Sequence, residues 1–447
     1  MNLTGKKIVV IGMGKTGVAA ASFLGKQGAK VIVTDEQPVD QWGKKFEQIA
    51  KEKWLEIGDY NTRILTGACI VVPSPGVPPH NALLVEALKK NIPVMSEIEI
   101  AYRFLKVPVV AITGTNGKTT TTNLLGEIFQ HSGKKTFVGG NIGNPLIEYV
   151  EGSQKEDFVV AEISSFQLQW IETFRPFIAV LLNITSDHVN YHGSFAEYRR
   201  IKARIFANQT GKDFAILNAA DPALEEMARI INAQVMKFSS KRVLQKGICI
   251  KKNNMVLRMP GVTEEQYPLS IINIPGLHNV ENVMAAIMVA RLCGCSPDNI
   301  IKAVGAFRGL PHRIEFAGEK NSVKFYDDSK GTNVGSVLRA LETFEKPVIL
   351  LLGGRDKDGD FESLRPLLKT KTKKVVLFGE ARERIASLIG EDKPVMKNDK
   401  LKDAVESAYK DAQPGDVVLL SPGCASFDEF ANYRERGNYF KDVVRTL

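Results

Sequence analysis

Residues 107–129 read VPVVAITGTNGKTTTTNLLGEIF, and the reading of this stretch decides the fold. An apolar strand pattern runs straight into a glycine-rich turn, Gly114-Thr115-Asn116-Gly117-Lys118-Thr119-Thr120, and then into an amphipathic helical pattern. Backbone N–H groups at a helix N-terminus cradle phosphate oxygens, a lysine supplies a point charge for β- and γ-phosphates, and the following hydroxyl can ligate magnesium. Strand, loop and helix in this order point to an ATP-type phosphate site on a parallel α/β sheet. Ile112 stands five residues before Gly117, where the general phosphate-loop pattern has glycine. A plain glycine turn with a solvated lysine is the competing reading, and the strand placement and neighbouring threonines argue against it.

Upstream, KIVVIG, a glycine turn, a helix from about Thr16 to Gln27 and the strand AKVIVTD form a βαβ unit. Gly12, Gly14 and Gly17 make a glycine fingerprint, with Asp35 at the end of the second strand where a ribose-binding acid is expected. The fingerprint alone suggests a dinucleotide-dependent oxidoreductase. Such an enzyme needs no second phosphate loop, and a uridine diphosphate could use the same helix N-terminus. The loop VVPSPGVPP, a helix from Ala82 to Lys90 and a short strand near Val94 follow, with a first boundary near residue 95. The central region passes through strands DFVVAEIS and FIAVLLNI to a helix after HNVENVMAA and ends near residue 309. The last segment alternates again, with strands at KFYDDS, PVILLLGG, KKVVLFG and GDVVLLSPG. The expected class is therefore α/β in three domains: a Rossmann-like domain over 1–95, a P-loop ATPase-type parallel-sheet domain over 96–309, and a second Rossmann-like domain over 310–447.

A chain of 447 residues with 44% hydrophobic content can bury two or three cores. Lysine and arginine outnumber aspartate and glutamate by 59 to 50, giving a formal charge of +9. The excess is spread along the chain with no aromatic-interleaved basic motif, so nucleotide phosphates explain it better than nucleic acid. Five cysteines in no metal-ligand spacing fit a reduced cytoplasmic protein. No apolar run approaches the roughly 18 residues of a membrane span, so no membrane insertion is expected.

Four further groups could carry chemistry. Glu162, Asp187, His188 and Lys202 follow the phosphate loop in order, and carboxylate and imidazole groups at strand ends suit magnesium held with few protein ligands. The last segment contributes His312-Arg313, the run Asp327-Asp328-Ser329-Lys330-Gly331-Thr332-Asn333, Lys357, and SPGCASFDEF around Ser426. Taken singly, each is as easily surface chemistry. Together they supply a polar face able to hold carboxylates and transferring phosphates.

In this order GTNGKTTT, GGNIG, AEISSFQL, SDH, PGLHNVENVMAA, GLPHRIE and LLGGRDKDGDF resemble the Mur ligase family over essentially the whole chain. DDSKGTN and SPGCASFDEF, with the N-terminal glycine unit, resemble its D-glutamate-adding branch, although Gly331 stands where that branch often has alanine. The resemblance implies ATP-dependent ligation of D-glutamate to UDP-N-acetylmuramoyl-L-alanine through an acyl phosphate, by a cytoplasmic monomer. It implies that Lys118 holds phosphates, that Thr119 and Glu162 bind one magnesium ion, and that His188 and a carbamylated Lys202 support a second. Gly114 to Thr120, His278, Asn279, Asn282, Arg313 and Asp328 would bind ATP. Gly14, Lys15, Thr16, Asp35, Ser74, Gly76, Asn141 and His188 would bind the UDP substrate. Lys330, Thr332, Lys357, Ser426 and Tyr433 would hold D-glutamate. A sibling ligase adding another amino acid, a folylpolyglutamate-synthase-like enzyme and a nucleotide-dependent oxidoreductase remain the alternatives. The folate reading lacks a use for the N-terminal glycine unit.

Overall fold

The computed structural model describes residues 1–390 and 393–447. Three sheets account for the α/β alternation. The first has strands β1 (Lys7–Ile11), β2 (Lys30–Thr34), β3 (Leu55–Ile57) and β4 (Ile70–Pro73), all parallel in the order β3-β2-β1-β4. The second comprises β5 (Val109–Thr113), β6 (Thr136–Gly140), β7 (Phe158–Glu162), β8 (Ile178–Leu181), β9 (Phe214–Asn218), β10 (Gln234–Ser239), β11 (Gly247–Lys251), β12 (Asn254–Met259) and β13 (Val262–Pro268). Their order is β13-β12-β11-β10-β9-β8-β5-β7-β6. The third comprises β14 (Glu315–Lys320), β15 (Val323–Asp327), β16 (Val348–Gly353), β17 (Thr372–Phe378), β18 (Val395–Lys397) and β19 (Val417–Gly423), in the order β14-β15-β19-β16-β17-β18.

Strands such as β1 (KIVVI), β5 (VVAIT) and β16 (VILLLG) are almost wholly buried, which is why they are continuous apolar runs and not alternating ones. Helix Lys15–Lys26 packs closely on its sheet because of two glycines. A Cβ on Gly17 would lie 1.8 Å from Gly12 O, and one on Gly25 would lie 2.1 Å from the Trp54 ring. The glycine fingerprint is thus a packing requirement as well as a phosphate signal.

The expected parallel central sheet is extended by antiparallel strands. β11 pairs antiparallel with β12 and β12 with β13, so residues 247–268 form a meander at one edge. At the edge of the third sheet, β14 likewise runs antiparallel to β15. These short strands, cut by turns, carry too little apolar periodicity to be read from sequence.

Packing divides the chain into two compact units. One comprises Met1–Ile184, Val189–Pro268 and Asn282–Val304, and the other comprises Thr185–His188, Leu269–Glu281 and Gly305–Leu447. Near residue 95 the chain passes from one sheet to the next, but the hydrophobic core runs on from Val31 and Phe23 to Ile98, Leu146 and Val159. The buried carboxylate of Glu99 fastens the linker helix Glu97–Tyr102 by accepting the backbone N–H groups of Glu172, Thr173 and Phe174. Among the described residues no helix is long and apolar enough to cross a membrane.

Candidate functional site

The phosphate loop leaves the carboxyl end of β5 and enters helix Lys118–His131. Gly114 at φ +151° and Gly117 at φ +86° provide backbone turns that L side chains rarely adopt. A Cβ on Gly117 would lie 2.2 Å from Asn282 Oδ1, so the loop lies directly against the expected nucleotide residue Asn282. Lys118 Nζ donates to Gly114 O at 2.9 Å and Thr115 O at 3.0 Å, folding over the loop. Thr115, Thr119 and Thr120 are buried in and just after it.

Two residues outside the motif hold the loop. Asn183, at the end of β8, accepts from Asn116 N through Oδ1 at 3.0 Å and donates to Asn116 O through Nδ2 at 3.0 Å. Tyr198 Oη lies 3.1 Å from Thr115 Oγ1, and its ring lies 4.9 Å beneath Lys202 Nζ. Lys202 is 1% exposed and donates to Gly114 O at 2.9 Å and Thr113 Oγ1 at 3.3 Å. Sequence reasoning singled out Lys202 but neither of these partners. A polar Asn183 ending an apolar strand, and Tyr198 one helical turn before Lys202, were the available signals.

Glu162 ends β7, the strand paired with β5, with Ile112 opposite it in register. Its Oε1 accepts from Asn141 Nδ2 at 2.8 Å, and Asn141 N donates to Glu162 O at 2.8 Å. Glu162 Oε2 is buried with no hydrogen-bond partner among the described residues. An uncompensated carboxylate oxygen at the carboxyl end of a strand next to a phosphate loop fits a hard divalent cation. Thr119 offers a hydroxyl in the first helical turn and fits the same role. Lys202 as an ammonium has donors only and cannot ligate a cation, so only a carbamate there would fit.

In the same unit, Gly14, Lys15, Thr16, Asp35, Ser74, Gly76 and Asn141 line one cavity of about 450 Å³. Asn141 thus faces the cavity while bonding Glu162, and Lys15 Nζ donates to Gly143 O. Ser74 Oγ donates to Gly12 O at 2.6 Å. Asp35 accepts from two backbone groups, Met13 N and Gln37 N.

The C-terminal unit assembles the remaining residues. Buried Asp328 accepts from Ser421 Oγ at 2.8 Å, and burial pushes its carboxyl up to about 7 against the pull of Arg313. His312, at φ +64°, is held by Asp327 Oδ2 at 2.7 Å, and its carbonyl accepts from Lys330 N at 3.1 Å. Lys330 Nζ stands 5.3 Å over the Tyr433 ring. Thr332 N bonds Lys330 O, and Asn333 Nδ2 donates to Asp187 Oδ2 at 3.0 Å. Asp187 Oδ1 in turn accepts from His188 N at 3.0 Å, which places His188, at φ +52°, beside the DDSKGTN run. The exposed Lys357 and buried Ser426 lie on neighbouring segments joined by the paired backbone bonds of Arg355 and Ala425, both 2.9 Å. Burial first, then Arg339 and Arg313, hold His278 well below the usual imidazole range, and Asn279 follows it in the chain. His188 and Asn279 thus belong to the C-terminal unit, whereas Glu162, Lys202 and Asn282 belong to the other.

Arg436 was missed from sequence. Only 1% exposed, it donates to Ser329 Oγ and Ser329 O, Ala425 O and Cys424 O at 2.8–3.1 Å. Ser329 Oγ passes the link on to Tyr433 O at 2.8 Å. One guanidinium therefore joins the segments bearing Lys330, Ser426 and Tyr433. The signal was its place in helix Tyr433–Thr446, on the same apolar stripe as Phe440, Val443 and Val444.

Family models for the Mur ligase MurD-like N-terminal domain, the Mur ligase middle domain and the Mur ligase glutamate ligase domain match residues 6–96, 112–290 and 312–424. The chain is 54% identical to a UDP-N-acetylmuramoylalanine–D-glutamate ligase of Syntrophus aciditrophicus, covering 100% of this chain and 99% of that protein. It is 42% identical to the ligase of the same name from Thermoanaerobacter sp. strain X514, covering all of both. Among solved structures, the MurF ligase of Thermotoga maritima in complex with ADP superposes with a TM-score of 0.62 at 18% identity, over 99% of this chain and 96% of that one. With this identity spanning the three sheets and the phosphate loop, the chain belongs to the Mur ligase family.

Proposed function

We propose that this chain joins D-glutamate to UDP-N-acetylmuramoyl-L-alanine with conversion of ATP to ADP and phosphate, in cytoplasmic synthesis of peptidoglycan precursors and as a monomer. Residues 1–95 would hold the UDP substrate, 96–309 ATP, and 310–447 the amino acid. The arrangement that carries ATP-dependent ligation is the buried Glu162 Oε2, without a hydrogen-bond partner among the described residues, at the end of the strand beside the phosphate loop. The choice of D-glutamate rests on the names of the full-length relatives.

A free carboxylate is a poor acyl donor. Attack of the alanyl carboxylate on the γ-phosphorus forms a C–O–P bond and expels ADP, and the D-glutamate amine then attacks the acyl carbon and expels phosphate. Catalysis of this kind is mostly positioning and charge neutralisation. Lys118 and the backbone N–H groups from Thr115 to Thr120 orient the triphosphate. Thr119 and Glu162 would hold one magnesium ion, and His188 with carbamylated Lys202 a second; bound there, the metal neutralises phosphate charge. Asn141 bridges the cavity of the UDP substrate to Glu162. Asn279, Asn282, Arg313 and Asp328 would complete the nucleotide site, and Lys330, Thr332, Lys357, Ser426 and Tyr433 would hold the amino acid.

The test is phosphate release by purified protein given ATP, UDP-N-acetylmuramoyl-L-alanine and a panel of amino acids. Release with D-glutamate alone is expected. Release with L-alanine or a diamino acid, but not D-glutamate, would overturn the acceptor assignment.

A further inference from the structure

A run of side-chain contacts leads from the wall of the N-terminal cavity to the phosphate loop, all within one compact unit. Val77 lines that cavity beside Ser74 and Gly76, and its N–H closes the turn by donating to Ser74 O at 3.0 Å. Its side chain packs on the glycine fingerprint, since a Cβ on Gly12 would lie 3.1 Å from Val77 Cγ2. The phenol of Tyr191, in the short helix Val189–His192, donates to Val77 O at 2.8 Å across 114 positions of sequence. Burial raises the pKa of that phenol above the usual tyrosine range, which keeps it protonated and therefore a donor. The Tyr191 ring packs edge-on against Phe166 with centroids 4.4 Å apart, and Phe166 lies in helix Ser165–Leu168, just past Glu162. The next residue, His192, is buried, places Nε2 3.0 Å from Ser165 Oγ and stacks on Phe166. Its ring also meets that of Tyr198 at 5.4 Å, and Tyr198 Oη reaches Thr115 Oγ1 in the phosphate loop.

We propose that Tyr191 is a positioning residue that sets the register between the two ends of the UDP substrate. Its hydroxyl fastens the Ser74–Val77 turn at the nucleotide end. Its ring, through Phe166 and His192, is held to the segment after Glu162 and to the phosphate loop at the reacting end. The inference rests on the function proposed above, with the N-terminal cavity seating the UDP group and the phosphate loop seating ATP. A substrate anchored at its nucleotide end delivers that binding energy to the reacting carboxylate only if the two seats keep a fixed separation. A misplacement of about 1 Å at the reacting atoms is enough to slow such a reaction about a hundredfold. Tyrosine suits the task because it combines an apolar ring with a polar tip: aromatic contacts hold the one while the other fastens a backbone carbonyl.

The experiment compares the full-length parent with Tyr191→Phe, measuring kcat and KM for all three substrates and the inhibition constant of UDP alone. The variant keeps its ring on Phe166, so its melting temperature should fall by no more than about 4 °C. Its kcat/KM for the UDP substrate is expected to fall about three- to tenfold, the size of one neutral hydrogen bond. UDP alone occupies only the nucleotide end, so its inhibition constant should stay within about twofold of the parent's, as should the KM for ATP. Tyr191→Leu, which gives up the ring packing as well, should lower kcat/KM for the UDP substrate further. A Y191F protein that keeps the parent's kcat/KM for the UDP substrate overturns the positioning role. So does one in which UDP inhibition weakens by the same factor as kcat/KM, because that marks a loosened cavity wall and not a lost register. Parent protein that turns over no UDP substrate would defeat the underlying function instead, so the two failures are distinct.

Discussion

Replacing Arg436 by alanine tests whether one buried cation assembles the amino-acid side of the site. Four donated bonds at 2.8–3.1 Å run from this side chain to neutral oxygens of Ser329, Cys424 and Ala425. Hydrogen bonds from a charged group contribute about 1.5–3 kcal/mol each. Against them stands desolvation, which pushes the guanidinium well down from its usual range, to about 10. At about 1.4 kcal/mol per unit this offsets roughly 3 kcal/mol, less than the bonds supply together. Truncation also leaves a cavity and strands the accepting oxygens, so R436A is expected to destabilise the C-terminal unit by about 3–5 kcal/mol. Differential scanning calorimetry should show its transition falling by roughly 10–15 °C. At a temperature where the variant stays folded, the KM for D-glutamate should rise at least about tenfold, because Lys330, Ser426 and Tyr433 lose their common tie. The KM for the UDP substrate, whose cavity lies on the other unit, should move by less than about twofold. Arg436→Lys keeps the charge but only part of the donor fork and should fall between. A transition shifted by less than about 0.5 kcal/mol with an unchanged D-glutamate KM would refute the reasoning.

Lys118→Ala should abolish phosphate release while leaving the melting temperature close to that of the parent; near-normal turnover would remove the lysine from its role. Gly117→Ala forces an L side chain into φ +86° and sets its Cβ against Asn282, so ATP affinity should fall at least about tenfold with a stability loss of about 1–2 kcal/mol; unchanged ATP binding would count against the loop geometry. Glu97 is 2% exposed, and burial raises its carboxyl from 4.5 to about 7 despite the bond from Ile147 N. Folding therefore takes up a proton between pH 4.5 and about 7, and this stabilisation is present below pH 4.5 and lost as pH rises through 7. Glu97→Gln should flatten that slope, matching the parent near pH 4.5 and exceeding it at pH 8 by on the order of 3 kcal/mol in urea unfolding; parallel pH profiles would show that Glu97 is not the titrating group.

Legibility differed between elements for physical reasons. The parallel strands β1, β5, β7, β8, β16, β17 and β19 were readable because burial on both faces leaves runs of apolar side chains between glycine turns. The edge strands β14 and β18 were not, because one edge meets solvent and their side chains mix, and nor were β12 and β13, short antiparallel strands at the end of the central sheet. At the phosphate loop, sequence-adjacent residues do the work, so the motif announced itself. Asn183, Tyr198, Ser421 and Arg436 act on Asn116, Thr115, Asp328 and Ser329, 67 to 107 positions away, and single side chains of those types carry no pattern.

The sequence by itself determined the α/β class, the phosphate loop, the glycine turn at the N-terminus and the order of the charged groups, because each depends on neighbours along the chain. The tertiary structure decided which of these groups share a unit: Glu162 with Asn141, Lys202 with the phosphate loop, and His188 with Asn333 through Asp187. It also decided that Glu162 Oε2 is buried with no hydrogen-bond partner among the described residues and that Tyr60 and Glu36 meet in one cavity. Those are properties of burial and of hydrogen bonds closed between distant strands, and no local spacing encodes them.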